Sequence, residues 1–323
     1  MKKKLLILLI TALLAGNLCG CTNEKATVTT TTYAVKYLVE ALAGDRVDVE
    51  YISTDTFIQR ASLVQNYKEI LSRTTLLLYI GELEPYIDVY PEIFTNYKFE
   101  AINLASLSAI YDFKRYTTVK AGNGAFIIQE GDYYDSDLFK DVDVYGKDPF
   151  IWLDPIAMSS MASTIKDWLC SYYPEDTLVF ENNFRALQQN FVRMDAEYQE
   201  LKKLTGIKIV TVTCSFGNWQ KLYGVEVYPL ILSKYGALPT EEQLQYIEDS
   251  IRDEDVKYIV YDATLPSDMQ RLYEQVKTDL SLEVIELSSL TRLSSEDIEK
   301  NKSYTTIMYE NLTNLEKAFK DSK

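Results

Sequence analysis

The sequence predicts an α/β fold of two lobes, each with a parallel four-stranded sheet, joined by one long helix. Three observations predict it. Apolar residues at Phe180, Phe184, Leu187, Phe191, Met194, Tyr198 and Leu201 step by 4, 3, 4, 3, 4, 3, a seam that only a helix brings to one face. On each side of that seam, short β-branched or apolar runs alternate with helical stretches, the pattern of parallel strands with right-handed crossovers. The 323 residues suffice for two cores. The alternative is an ordinary long helix within one large domain.

The long helix is expected over residues 177–204. Pro174, Glu175 and Asp176 stand where acidic charge and a capping oxygen suit free N–H groups, Lys202 and Lys203 lie in the last turn, and Gly206 follows as a C-cap. At about 1.5 Å per residue it spans on the order of 40 Å, about a domain's width.

The chain begins with an address. Lys2-Lys3-Lys4 precedes an apolar run, Leu5 to Ala15, too short for a good transmembrane span. The run closes on Leu18-Cys19-Gly20-Cys21, which resembles the bacterial lipobox; that resemblance implies cleavage after residue 20 and lipidation of Cys21. A plain secretory signal with a chance cysteine is the alternative. No later segment is apolar for long enough to cross a bilayer. The expected layout is a signal peptide at 1–20, a polar lipid-anchored tether at 21–26, an N-terminal lobe at 27–176, the linking helix at 177–204 and a C-terminal lobe at 205–323. The protein is thereby expected on the extracytoplasmic face of the cell membrane.

In the first lobe, strands are expected at 28–32, 47–52, 76–80 and 99–104, with helices at 33–43, 67–72 and 84–94. Residues 105–147 carry a weak pattern with a hairpin around 125–129. An acidic stretch follows (Glu130, Asp132, Asp135, Asp137, Asp141, Asp143), read as a solvated loop or a weak collector of cations. In the second lobe, strands are expected at 207–213, 225–232, 256–261 and 282–287. Helices are expected near 216–223, from Pro239 with a Thr240 to Gln243 capping box, from Ser267, and over 303–319. Ligands of such sheets bind at the carboxyl ends of strands, and two lobes can turn those ends to one cleft.

Composition narrows the function. The net charge is −15, and without residues 1–20 there are 30 basic residues against 48 acidic. Such a surface repels nucleic acid, which is set aside as a partner. The chain has no histidine, which excludes Ser-His-Asp, Cys-His and His-metal arrangements together. No nucleophile–base pair is visible, so no enzyme activity and no cofactor are expected. Of the cysteines Cys19, Cys21, Cys170 and Cys214, none has metal-ligand spacing outside the leader.

Several stretches, read in order, resemble the substrate-binding lipoproteins of zinc and manganese ABC importers. The strongest is Asp148-Pro149-Phe150-Ile151-Trp152-Leu153-Asp154-Pro155, where the family reads Asp-Pro-His-x-Trp-Leu-Asp-Pro. Others are Thr32-Tyr33 with Leu42-Ala43-Gly44-Asp45, Leu83-Glu84-Pro85-Tyr86, and Val210-Thr211 with Ser215-Phe216-Gly217. The resemblance implies two four-stranded lobes on one long helix, a cleft that holds the solute, and an ABC permease as partner. It also implies a metal site of histidines and carboxylates. Carried over position by position, those ligands fall on Gln59, Phe150, Thr213 beside Cys214, and Ser288. No imidazole remains, and Phe has no donor atom, so the family's metal site is expected to be lost or rebuilt. A rebuilt site would draw on Cys214, Asp262, Glu286 and Asp55, since a thiolate with carboxylates suits a soft or borderline cation. Against that stand plainer readings: Cys214 as a small buried residue, Asp154 as a helix cap, Trp152 as core. The expected function is extracytoplasmic capture of a small solute for import. The alternative is a non-transport, adhesin-like interaction protein on the same fold. A cleft kept open and polar favours the first, and one plugged by side chains such as Phe150 favours the second.

Overall fold

Strands separated by helical crossovers must run parallel, because each crossover returns the chain to the same end of the sheet. The computed structural model of the chain shows this twice. It describes residues 25–54, 57–108, 111–113, 116–120, 126–130, 136–204 and 206–320. The first sheet holds β1 (Ala26–Thr30), β2 (Val47–Tyr51), β3 (Thr74–Tyr79) and β4 (Glu100–Asn103) in the order β2-β1-β3-β4, all parallel. β1 is buried along its whole length, and its hydroxyls are satisfied inside: Thr29 Oγ1 lies 2.7 Å from Thr74 Oγ1. Helix α1 (Tyr33–Ala43) follows β1 and is capped by Thr32, whose hydroxyl accepts from Val35 N–H. Helices α2 (Tyr67–Arg73), α3 (Pro85–Val89) and α4 (Glu92–Thr95) complete the crossovers.

The expected hairpin exists as β5 (Tyr116–Lys120) paired antiparallel with β6 (Phe126–Glu130). Helix α5 (Pro155–Tyr172) then starts on Asp154, whose Oδ1 accepts from Ile156 N–H at 2.8 Å. The linking helix α6 (Thr177–Gln199) packs along α5 and α1. It buries Phe180, Leu187, Phe191, Met194 and Tyr198, while Phe184 is half-buried against the same core. Its ends depart from expectation. It closes one turn early, in a 3₁₀ turn over Glu200–Lys203, and Gly206 lies beyond with φ +72 rather than serving as the C-cap. At its start Asp176 makes no capping bond and instead holds Arg46 at 2.7 Å.

The second sheet holds β7 (Lys208–Thr211), β8 (Glu226–Pro229), β9 (Tyr258–Tyr261) and β10 (Glu283–Glu286) in the order β10-β9-β7-β8, again parallel. Helices α7 (Asn218–Tyr223), α8 (Glu241–Asp253), α9 (Ser267–Asp279), α10 (Ser295–Glu299) and α11 (Tyr304–Lys320) surround it. The α8 capping box is formed in both directions between Thr240 and Gln243. One continuous core runs from the first sheet through α5 and α6 to Trp219 and Leu312 in the second lobe. A second core lies around Val210, Ile259 and Val276, and it takes in Phe57 and Phe139 from the preceding half of the chain.

Candidate solute site between the lobes

The loop after β2 is drawn into the second lobe by one arginine. Arg60 donates to Gly236 O at 2.9 Å and to Asp268 Oδ2 at 2.7 Å, and its contact with Asp268 holds that carboxyl below its ordinary range. Gly236 has φ +67, and a Cβ there would meet the Arg60 side chain at 3.1 Å, so the approach requires glycine. This seats Gln59 in the 3₁₀ turn Ile58–Arg60, buried between the lobes. Its Nε2 lies 3.5 Å from Cys214 Sγ and 3.4 Å from Ser233 O. Its Oε1 accepts no bond, while its amide group also meets the Tyr145 hydroxyl, which donates to Lys234 O at 3.2 Å.

Phe150 reaches the same junction. Asp148 Oδ1 accepts from Phe150 N–H at 3.0 Å and turns the chain into the 3₁₀ turn Ile151–Leu153. The Phe150 ring is fully buried, edge-on to Tyr145 at 6.1 Å and to Trp152 at 5.3 Å. Trp152 is core, as read from sequence. Its Nε1 donates to Ser289 O at 2.8 Å, and Tyr304 donates to its carbonyl at 2.6 Å. After β7, Thr213 Oγ1 bonds Ser215 Oγ at 2.8 Å, and Cys214 is wholly buried. Gln59 and Cys214 thus meet, with Phe150 joined to them through Tyr145.

Asp262 and Ser288 take a different place. Asp262 Oδ1 accepts from Thr264 N–H at 2.9 Å and Thr264 Oγ1 at 2.6 Å, and its Oδ2 accepts from Ser289 N–H at 3.0 Å. Both carboxylate oxygens are thereby engaged by the loops after β9 and β10, although the sequence offers Asp262 as a donor for a rebuilt site. Ser288 exchanges two backbone bonds of 2.9 Å with the Asn311 amide. These two line a small cavity of about 230 Å³ together with Glu286. Among the described residues, no three of Cys, Asp and Glu gather closely enough to hold a metal ion. Asp55 and Cys21 lie outside the described residues, as do Asp132 and Asp135 of the acidic stretch.

Two participants escape a reading of the sequence. Tyr145 fills the junction, with its ring between Phe113 and Phe150. Only its place just ahead of the octapeptide could have pointed to it. Glu84 is buried beneath the β1 loop. Its Oε1 accepts from Thr31 Oγ1 at 2.5 Å and Ile80 N–H at 2.9 Å, and its Oε2 accepts no bond. Burial pushes this carboxyl up to about 7, against the opposing pull of those two bonds. The Leu-Glu-Pro-Tyr match marks the position without saying that it is buried.

Beside the junction a cavity of about 660 Å³ opens between α1 and the 291–303 segment. Thr31 and Ser53 line it from the first lobe, and Thr291 from the second.

The profile of the family described as "Zinc-uptake complex component A periplasmic" matches residues 28–318. No curated protein matches the chain in sequence. Among solved structures, the periplasmic zinc-binding protein TroA from Treponema pallidum superposes with a TM-score of 0.70 at 18% identity, covering 92% of this chain and 99% of its own. The laminin-binding protein Lmb of Streptococcus agalactiae, described as bifunctional with adhesin and metal-transporting activity, gives 0.68 at 19%, covering 92% and 100%. The protein FpvC from Pseudomonas aeruginosa, solved in complex with Mn²⁺, gives 0.66 at 16%, covering 93% and 100%. Two parallel four-stranded sheets, one connecting helix and a profile match over nearly the whole chain agree: the chain belongs to the family of periplasmic component A of zinc-uptake complexes, the metal-type substrate-binding proteins of ABC import.

Proposed function

We propose that this family member captures a small solute other than a family-type zinc or manganese ion and presents it to an ABC permease. The lobes at 27–176 and 205–323 would enclose that solute, and a lipid on Cys21 would hold the protein at the outer face of the membrane. One observation carries the reading. By the resemblance, the family's ligand positions fall on Gln59, Phe150, Thr213 and Ser288, and the Gln59 junction is filled by the Tyr145 and Phe150 rings. Neutral oxygens cannot offset the desolvation of Zn²⁺, whose structural sites use thiolate and imidazole to reach apparent energies of about 10–16 kcal/mol. Cys214 is the thiol at this junction, and the Gln59 amide already lies against its sulfur.

The plugged junction also favours the second reading, an adhesin-like protein on the same fold, an activity for which Lmb is described. The open cavity next to the junction supports solute capture instead. Thermal unfolding with and without Zn²⁺ or Mn²⁺ tests the proposal, because a ligand of the folded state alone raises stability by mass action. The expected result is no rise at micromolar metal. A large rise lost in Cys214→Ser would establish a rebuilt thiolate site and overturn the metal-free reading. A large rise that survives Cys214→Ser would overturn both.

A further inference from the structure

The cavity of about 660 Å³ lies within the range of small-molecule sites, about 300–1,000 Å³, and sits between lobes, where such sites concentrate. Opposite charges face each other on both walls. On α1, Lys36 lies 3.5 Å from Glu40. On the facing segment, Lys302 lies 2.6 Å from Glu310 and 3.2 Å from Asp297, whose carboxylate also accepts from Ser294. Arg292 adds a third cation, with its guanidinium donating to Thr264 O at 3.1 Å. The chain as a whole carries −15, yet the three cations on these walls, Lys36, Arg292 and Lys302, are met by only two carboxylates in the lining and by Glu310 behind Lys302. A bare divalent cation, which needs clustered oxygen ligands, finds none here, and an anionic group is not repelled.

Between the pairs run aromatic surfaces. The Lys36 ammonium sits 5.6 Å over the Tyr51 ring. Tyr33, raised to about 12 chiefly by burial, keeps its phenolic proton at neutral pH and remains a donor. A guest with a single charge would take one member of a pair and leave the other uncompensated as water is excluded. A guest with both charges can exchange partners with the walls and leave every charge matched. From this arrangement we infer that the cavity binds a small zwitterion with an aromatic or apolar body, of amino-acid to dipeptide size. The inference rests on the solute-capture reading above and names its solute class.

The test is titration calorimetry of the full chain with phenylalanine and Gly-Phe, and with the N-acetyl and C-amide forms of each. The expected result is binding of the zwitterions at micromolar concentration, at least tenfold weaker when either end is blocked. Lys36→Gln and Glu40→Gln alter half-exposed side chains, and each should weaken binding at least tenfold with the unliganded unfolding midpoint unchanged. Absence of heat with every probe up to millimolar concentration would overturn the inference, as would equal binding of blocked and unblocked forms. Crosslinking of the chain to an ABC permease subunit in cells reads the underlying function separately. Permease contact without zwitterion binding overturns the inference alone, and loss of both overturns the reading beneath it.

Discussion

Glu84→Gln should make the protein's stability less sensitive to pH. The Glu84 side chain is buried, and desolvation raises its carboxyl from an ordinary 4.5 to about 7. Below about pH 4.5 the folded and unfolded chains both carry the proton, and the group costs nothing. Between about 4.5 and 7 the folded chain alone keeps it, so stability falls as pH rises. Above about 7 both forms are ionised and the full cost is in place. At about 1.4 kcal/mol per tenfold change in proton affinity, that cost is about 3 kcal/mol. Glutamine preserves an acceptor for Thr31 and Ile80 and cannot ionise. Its extra N–H enters a place where Oε2 accepts no bond, a penalty of about 1–3 kcal/mol that does not vary with pH. Urea unfolding of both proteins from pH 4.5 to 8 isolates the titrating part, since other groups cancel in the difference. The variant should gain about 3 kcal/mol relative to the parent across that range, most of it between pH 5 and 7. A difference that stays flat would refute the argument, because it would mean that Glu84 titrates alike in the folded and unfolded chains.

Two further outcomes follow from packing and from the leader. Phe191→Ala should cost about 3–5 kcal/mol, because its ring is fully buried and meets Tyr304 edge-on at 5.9 Å; a loss under about 1 kcal/mol in denaturant unfolding would mean that the seam faces water. Cys21→Ala should move the protein from the membrane fraction to the soluble fraction, and retention in the membrane would reveal a second anchor.

The eight strands of the two sheets were legible because each is a short apolar or β-branched run bounded by turn residues. Their ends were not. Val212, Ile231 and Leu287 are buried just past the assigned strand residues and still bond across, Ile231 N–H to Val212 O and Leu287 N–H to Tyr261 O, so the apolar runs extend beyond the strands. Helix α5 was not read as an element beyond its Asp154 cap. It buries Ala157, Met158, Met161, Ala162 and Ile165 on a broad face, which weakens the amphipathic signal. At the site, the octapeptide and the strand ends marked Gln59, Phe150, Thr213 and Cys214 without their neighbours. That Tyr145 fills the junction, that Asp262 spends both oxygens on Thr264 and Ser289, and that Glu84 is interior are facts of contacts distant in the chain. A single sequence carries no pattern for these.

The core that passes from the first sheet through α6 into the second lobe also bears on how the protein unfolds. Tyr304 shows the coupling at one residue: its ring stacks on Tyr37 at 5.4 Å, meets Phe191, and its hydroxyl holds the Trp152 carbonyl. Separating the halves would strip apolar cover from both at once. The shared core predicts that the lobes behave as one cooperative unit rather than two hinged ones: neither should fold when expressed alone, and heat should melt them in a single transition. A solute entering between them would have to be admitted by side chains and rim loops, since a wide swing of one lobe would break the interior that both share.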